Sequence, residues 1–222
     1  PHEDKEHLPL AVYGLPELNR EKIKKANLIA NPGCYPTATL LGLLPFLTYI
    51  DNNVPIFVDA KSGVSGAGKK LNETTQFANV SENIFAYSPL THRHAPEIKE
   101  KLRLASKQEF EVIFVPHLIA VIRGMLVSSY VTLKEEIDAQ KILKEFYKEE
   151  KFVRIRETPV DIKTTSGTNF CDIFVAQEGK TLFISSSIDN LLRGASSQAL
   201  CNANLMCGYE ENLGVPIFAY AP

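Results

Sequence analysis

The sequence predicts an α+β fold, a mixed and largely antiparallel sheet with helices on one face. Three observations carry that expectation. Runs rich in β-branched and aromatic residues at 54–60, 112–118 and 125–133 read as strands, the last alternating at Val127, Ser129, Val131 and Leu133. Two more runs, 171–176 and 181–187, are joined by Glu178-Gly179-Lys180 and read as a hairpin, so part of the sheet is antiparallel. Helical stretches separate these runs, as expected where strands and helices share one core.

Bulk properties narrow the class. A chain of 222 residues, 45% hydrophobic and 23% charged, suits one large domain or one domain with part of another. A net charge of −2 gives no electrostatic pull toward nucleic acid or an anionic membrane, and no apolar run reaches spanning length. Cys34, Cys171, Cys201 and Cys207 follow no framework spacing and read as reduced thiols in a cytoplasmic-type compartment. The polar, unpatterned opening His2-Glu3-Asp4-Lys5-Glu6-His7 shows no leader pattern and reads as the interior of a longer protein.

In chain order, 8–13 is a short apolar stretch, Gly14-Leu15-Pro16-Glu17-Leu18 a turn, and 19–26 a polar helix capped by Asn19. Leu28-Ile29-Ala30 is a strand running into Asn31-Pro32-Gly33-Cys34-Tyr35-Pro36. Pro32 and Gly33 force a turn, and an apolar helix follows over 37–47 with Pro36 in its first turn. Cys34 therefore sits at a helix N-terminus, where free N–H groups favour a thiolate and lower the thiol pKa. Gly33 would let a substrate approach and leave its amide open to an oxyanion. The plain alternative is a buried structural cysteine.

The strand at 54–60 enters the Gly/Ser-rich stretch 61–70. Gly63, four residues, then Gly68-Lys69 approach a phosphate-binding loop, but Lys70 stands where the magnesium-binding hydroxyl belongs. A solvated glycine loop and a nucleotide-binding loop both remain open. Next comes Thr91-His92-Arg93-His94-Ala95-Pro96-Glu97, heading a helix from about 96 to 107. Two histidines and an arginine there suit a general base beside an anion site. With His117 they also suggest zinc, the weaker idea because no Cys or Asp stands at metal spacing. A surface polar loop is the plain alternative. An amphipathic helix spans 137–148, apolar at Ile142, Leu143, Phe146 and Tyr147, and a strand follows at 152–156. The last helix, 191–206, is rich in small residues that permit close packing.

Several stretches jointly resemble one family. They are Tyr13-Gly14-Leu15-Pro16-Glu17, Asn31 to Thr37, Ser62-Gly63-Val64-Ser65-Gly66-Ala67-Gly68, His92 to Glu97, Pro116-His117-Leu118 with Arg123-Gly124, and Asp189-Asn190-Leu191 with Gly194-Ala195. In this order they resemble the N-acetyl-gamma-glutamyl-phosphate reductases of arginine biosynthesis. These are cysteine-dependent, aldehyde-forming enzymes related to aspartate-semialdehyde and glyceraldehyde-3-phosphate dehydrogenases. The resemblance implies a glyceraldehyde-3-phosphate-dehydrogenase-like C-terminal domain. It implies Cys34 as nucleophile and His92, rather than His94, as acid/base. Tyr87, Arg93, His94, Glu97 and His117 become substrate-binding candidates, and Ser62, Gly63 and Gly66 candidate contacts to NADP. No metal is implied. The partners expected are an acyl phosphate and a second copy of the chain docked through the sheet.

The family's Gly-rich nucleotide-binding fingerprint is not found in this sequence. The expected division is therefore a catalytic and dimerisation region at 1–188 and a helix and tail at 189–222 that would pack on a nucleotide-binding domain. NADP binding by this chain alone is expected to be weak or absent, and turnover with it. A non-catalytic assembly domain and a phosphate-loop nucleotide-binding protein are the alternatives.

Overall fold

Among the residues described by the computed structural model, 4–68 and 72–219, seven strands form the main sheet. The elements are β1 (Val12–Tyr13), α1 (Pro16–Ile23), β2 (Ile29–Ala30), α2 (Cys34–Leu43), β3 (Ile56–Gly63), α3 (Phe77–Val80), β4 (Ile84–Ala86), α4 (His94–Ser106), β5 (Val112–Ile119), β6 (Met125–Thr132), α5 (Ala139–Phe146), β7 (Val153–Ile155), β8 (Cys171–Glu178), β9 (Thr181–Ile188) and α6 (Ser197–Met206). The sheet order is β4-β5-β3-β6-β9-β8-β7, and β1 pairs separately with β2. The β3–β5 and β7–β8 pairs are parallel, and the other neighbours in the main sheet are antiparallel. The mixed, mostly antiparallel α+β fold expected from the sequence is the fold observed.

The side-chain period of two gives the sheet two unlike faces. Ile56, Val58, Ala60 and Ser62 of β3 are buried, whereas Phe57, Asp59 and Lys61 point the other way. Register sets Val58 beside Phe114 and Ser129, and Phe57 beside Tyr130. The buried face is covered by α2, which packs on β6, β8 and β9. Having no polar side, α2 is enclosed almost all round, with Leu40, Leu41 and Leu43 fully buried. Each such leucine contributes roughly 1.5–3 kcal/mol by leaving water. Gly42 sets the closeness of that packing, since a Cβ there would lie 3.1 Å from Ile184 Cγ2. The opposite face keeps Phe57 and Tyr130 nearly half exposed, with the Phe183 ring tilted against Tyr130 at 5.3 Å between centroids.

Two sequence expectations change near the ends. The stretch read as a turn at 14–18 already starts α1, with Pro16 in its first turn. Asn19 lies inside that helix with non-helical torsions and donates to the Tyr13 carbonyl (3.0 Å) instead of capping. The final helix divides into a π-turn, Leu192–Ser196, and α6. One face of α6 (Gln198, Cys201, Asn202, Leu205) is buried within this chain, where α6 packs on α1, while Ala199, Leu200 and Ala203 face outward.

Candidate functional site

Cys34 is the first residue of α2, and Gly33 is its N-cap. Thr37 secures the turn, its N–H and its hydroxyl both donating to the Gly33 carbonyl (2.9 Å each). The Gly33 N–H donates to Glu97 Oε1 (3.1 Å), and the Tyr13 hydroxyl donates to the same oxygen (2.8 Å). One expectation is corrected by that arrangement: the Gly33 amide is already committed, so it is not open to an oxyanion. Glu97 commits Oε1 to fixing the turn.

The helix-terminus argument for a depressed Cys34 pKa is also overturned. The N–H groups of Tyr35 and Cys34 do reach the sulfur and favour the thiolate, and the charge of Arg93 helps. Burial outweighs them and pushes the thiol up to about 11. At neutral pH the sulfur is protonated and needs a proton acceptor before it can attack.

Two imidazoles lie beside this turn. The ring of His92 is packed against Tyr35, Tyr87, His94 and Phe114 at centroid distances of 5.6, 5.4, 4.9 and 5.5 Å. Its Nδ1 accepts the His94 N–H (3.2 Å), which assigns the proton of the neutral ring to Nε2. Burial, with Arg93 second, lowers the pKa of His92. Burial, with His92 and Arg93 behind it, lowers that of His94 to about 4. Both rings are therefore neutral at pH 7. His94 lies over Gly33 so closely that a Cβ there would be 2.5 Å from Nε2. Arg93 is exposed, and its charge reaches both histidines and Cys34. Tyr87 joins the wall, its hydroxyl donating to that of Tyr35 (2.9 Å), which donates to the His117 carbonyl (3.3 Å).

Only the backbone of His117 touches this cluster. Its ring lies on the opposite face of the sheet, Nδ1 3.1 Å from Asp59 Oδ1, and Lys61 Nζ is 2.6 Å from Asp59 Oδ2. The reason is register: Phe114 and Leu118 of β5 take the buried side, which leaves the intervening His117 on the other. His117 is thus no substrate contact at this cluster, and the zinc reading on His92, His94 and His117 fails with it.

The glycine-rich stretch is not a strand–loop–helix phosphate site either. Ser62 and Gly63 belong to β3, and a 3₁₀ turn, Val64–Ala67, follows; Lys69 and Lys70 lie outside the described residues. The N–H groups of Gly63, Val64, Ser65 and Gly68 bond the carbonyls of Gly124, Val121, Ile122 and Ser65. Ser62 is fully buried, and a Cβ on Gly66 would meet its Oγ at 2.7 Å. A Cβ on Gly63 would meet the Ile122 carbonyl at 2.7 Å. Ser62 and Gly63 therefore serve the chain's own packing, and the amides of Gly63, Val64, Ser65 and Gly68 are committed within the chain. Gly66 is the exposed member of the three.

Sequence reasoning singled out Gly194 but missed that it packs on Cys34, where a Cβ on Gly194 would sit 2.6 Å from that of Cys34. It also missed Tyr13 as the partner of Glu97, although Tyr13 lay in a stretch that had drawn attention. The small-residue pattern around Gly194 spoke for packing and not for what is packed against.

Comparison with known proteins gives the family and the fold. The family model for the semialdehyde dehydrogenase dimerisation domain matches residues 34–190. A curated relative from Sulfurovum sp., N-acetyl-gamma-glutamyl-phosphate reductase, is 63% identical over 221 residues, covering 100% of this chain and 66% of the relative. Relatives of the same name come from Wolinella succinogenes, 60% identical with 66% of the relative covered, and Methanococcus maripaludis strain C6, 47% identical with 64% covered. The chain thus spans about two thirds of the length of these relatives. Among solved structures, aspartate semialdehyde dehydrogenase II from Vibrio cholerae, complexed with ASA, superposes with a TM-score of 0.73 at 16% identity. The match covers 91% of this chain and 69% of that one, a likeness of fold.

Proposed function

The chain belongs to the semialdehyde dehydrogenase family through its dimerisation domain, and on that premise we propose that it carries the thiol chemistry of an N-acetyl-gamma-glutamyl-phosphate reductase in arginine biosynthesis. The observation that carries this reading is the placement of Cys34 at a helix start with His94 over the preceding Gly33 and both His92 and His94 against the following Tyr35.

The first step is acyl transfer. Cys34 passes its proton to His94 Nε2, the imidazole nitrogen lying over Gly33, and Sγ attacks the acyl carbon of the acyl phosphate. The C–S bond forms, the C–O bond to phosphate breaks, and phosphate leaves with the electron pair. Arg93 attracts the anionic group of the substrate. His92, with its proton on Nε2, exchanges that proton with the reacting oxygen. With Nδ1 of His92 taken by the His94 N–H and its Nε2 protonated, His94 is the imidazole left to take the thiol's proton.

NADPH supplies the hydride that turns a thioester into an aldehyde. The sequence carries no Gly-rich dinucleotide fingerprint, so we place the dinucleotide mainly outside this chain, with Gly66 an exposed candidate contact within it, and expect the chain alone not to turn over. The outward residues of α6, Ala199, Leu200 and Ala203, are where a nucleotide-binding domain would rest. A second copy of the chain covers the open face at Phe57, Tyr130 and Phe183.

The test is phosphate release and NADPH oxidation by the intact enzyme supplied with N-acetyl-gamma-glutamyl phosphate. One phosphate per NADPH is expected, with both lost in Cys34→Ser. Tight, stoichiometric NADPH binding by this chain alone would overturn the placement of the dinucleotide.

A further inference from the structure

The stretch Tyr13-Gly14-Leu15-Pro16-Glu17 supplies no reacting group, yet it reaches both flanks of Cys34. On one side the Tyr13 hydroxyl and the Gly33 N–H share Glu97 Oε1. In the middle the Gly14 carbonyl accepts from Gln198 Nε2 (3.0 Å) and Asn202 Nδ2 (2.9 Å). Asn202 Nδ2 also donates to Asn31 Oδ1 (2.9 Å), and Asn31 Nδ2 donates to the Ala195 carbonyl (3.2 Å). On the other side Glu17 is bonded to Arg193, which stands in the π-turn immediately before Gly194. Gly194 is in turn pressed on Cys34, with a Cβ there 2.6 Å from Cys34 Cβ and 3.1 Å from its Cα.

The ion pair is an unusual one. The Arg193 and Glu17 side chains are 0% and 1% exposed, and Arg193 heads the largest fully buried side chains. Arg193 Nε and Nη1 and Glu17 Oε2 have no hydrogen-bond partner among the described residues. A buried ion pair is a weak source of stability, because apolar side chains of similar volume are often as good, and buried polar atoms without partners add to its cost. What such a pair does well is fix a geometry. π-turns, too, concentrate at functional sites.

We propose that the Tyr13–Glu17 segment positions the nucleophile through two side-chain links, Glu17 to Arg193 and Tyr13 to Glu97, which hold Gly194 and Gly33 against the two flanks of Cys34. Glu17, Arg193 and Tyr13 are positioning residues, acting through the glycines. The inference rests on the reading of Cys34 as the nucleophile.

The test is the pH dependence of Cys34 alkylation by iodoacetamide in the full chain, with Cys207→Ser as background so that the exposed thiol does not report. In Glu17→Gln/Arg193→Met both charges go together, so neither is left buried alone. Expected is a folded protein in which Gly194 withdraws and the alkylation midpoint falls toward the ordinary thiol value of about 8.5. Each pKa unit of that fall raises the rate at pH 8 about tenfold. In the intact enzyme the same variant should lose roughly tenfold or more in kcat with KM little changed. Loss of stability alone would also expose the thiol to iodoacetamide, so the deciding readout is the fall in kcat per folded molecule with KM kept, taken well below the variant's thermal midpoint. Should the double variant fail to fold, Gly194→Ala and Tyr13→Phe decide, each expected to move the midpoint. Midpoints equal to the parent's in the folded variants would overturn the proposal. Turnover retained by Cys34→Ser would instead overturn the thioester reading and leave the alkylation result standing.

Discussion

Two glycine-bearing turns in this protein look alike in sequence and differ in what they do. Around Cys34, the space that Gly33 and Gly194 leave free is filled by the His94 ring and by Cys34 itself. In the 62–68 stretch, the space at Gly63 is filled by the Ile122 backbone and that at Gly66 by Ser62 Oγ. The first turn crowds reactive side chains onto one another. The second lets one strand end cross another closely, and the amides of Gly63, Val64 and Ser65 are consumed in doing so. A glycine-rich motif marks close approach, and the atom that approaches decides whether the site is chemical or architectural.

The contrast can be broken in order of expected effect. Cys34→Ser should cost on the order of 10⁴-fold or more in reductase turnover, measured as phosphate release. Gly33→Ala pushes on His94 Nε2 from 2.5 Å, and displacement of about 1 Å at such a site costs on the order of 10²-fold in turnover. Its thermal midpoint should move little, because the imidazole can swing aside.

His94 gives a pH test. It is 9% exposed and its pKa falls to about 4 from the ordinary 6.5. Between those values the unfolded chain binds a proton that the folded chain refuses. Stability is therefore full above about pH 6.5 and drains away as pH drops toward 4, by about 3 kcal/mol. Urea midpoints at pH 7 and 4.5 should show that loss, and His94→Gln should flatten it.

Gly63→Ala is the architectural counterpart. The Ile122 backbone cannot swing aside, so stability should fall by about 1–3 kcal/mol while kcat per folded molecule is kept. A Gly63→Ala enzyme with normal stability and poor turnover would reverse the assignment of the two turns.

Much of this was legible in the sequence, for identifiable reasons. The strands and the hairpin follow from period-two patterning, and the enclosure of α2 from a run with no polar side. The placement of Cys34 at the helix start followed from Pro32, Gly33 and Pro36. His92, His94, Arg93 and Tyr87 do gather beside it. What stayed hidden depended on partners distant in the chain. The face on which His117 falls is a matter of register with β3. Glu97 bonds Gly33, 64 residues earlier, and Tyr13, 84 residues earlier. The raised thiol pKa reflects burial that local helix geometry does not reveal.

The most direct measurement is to trap the first intermediate. The intact enzyme is mixed with N-acetyl-gamma-glutamyl phosphate in the absence of any hydride donor, quenched in acid, digested and weighed by mass spectrometry. An N-acetylglutamyl adduct on the Cys34 peptide, formed in step with one equivalent of released phosphate and missing in Cys34→Ser, is the expected result. Phosphate release with Cys34 unmodified, or an adduct that persists in Cys34→Ser, would contradict the account.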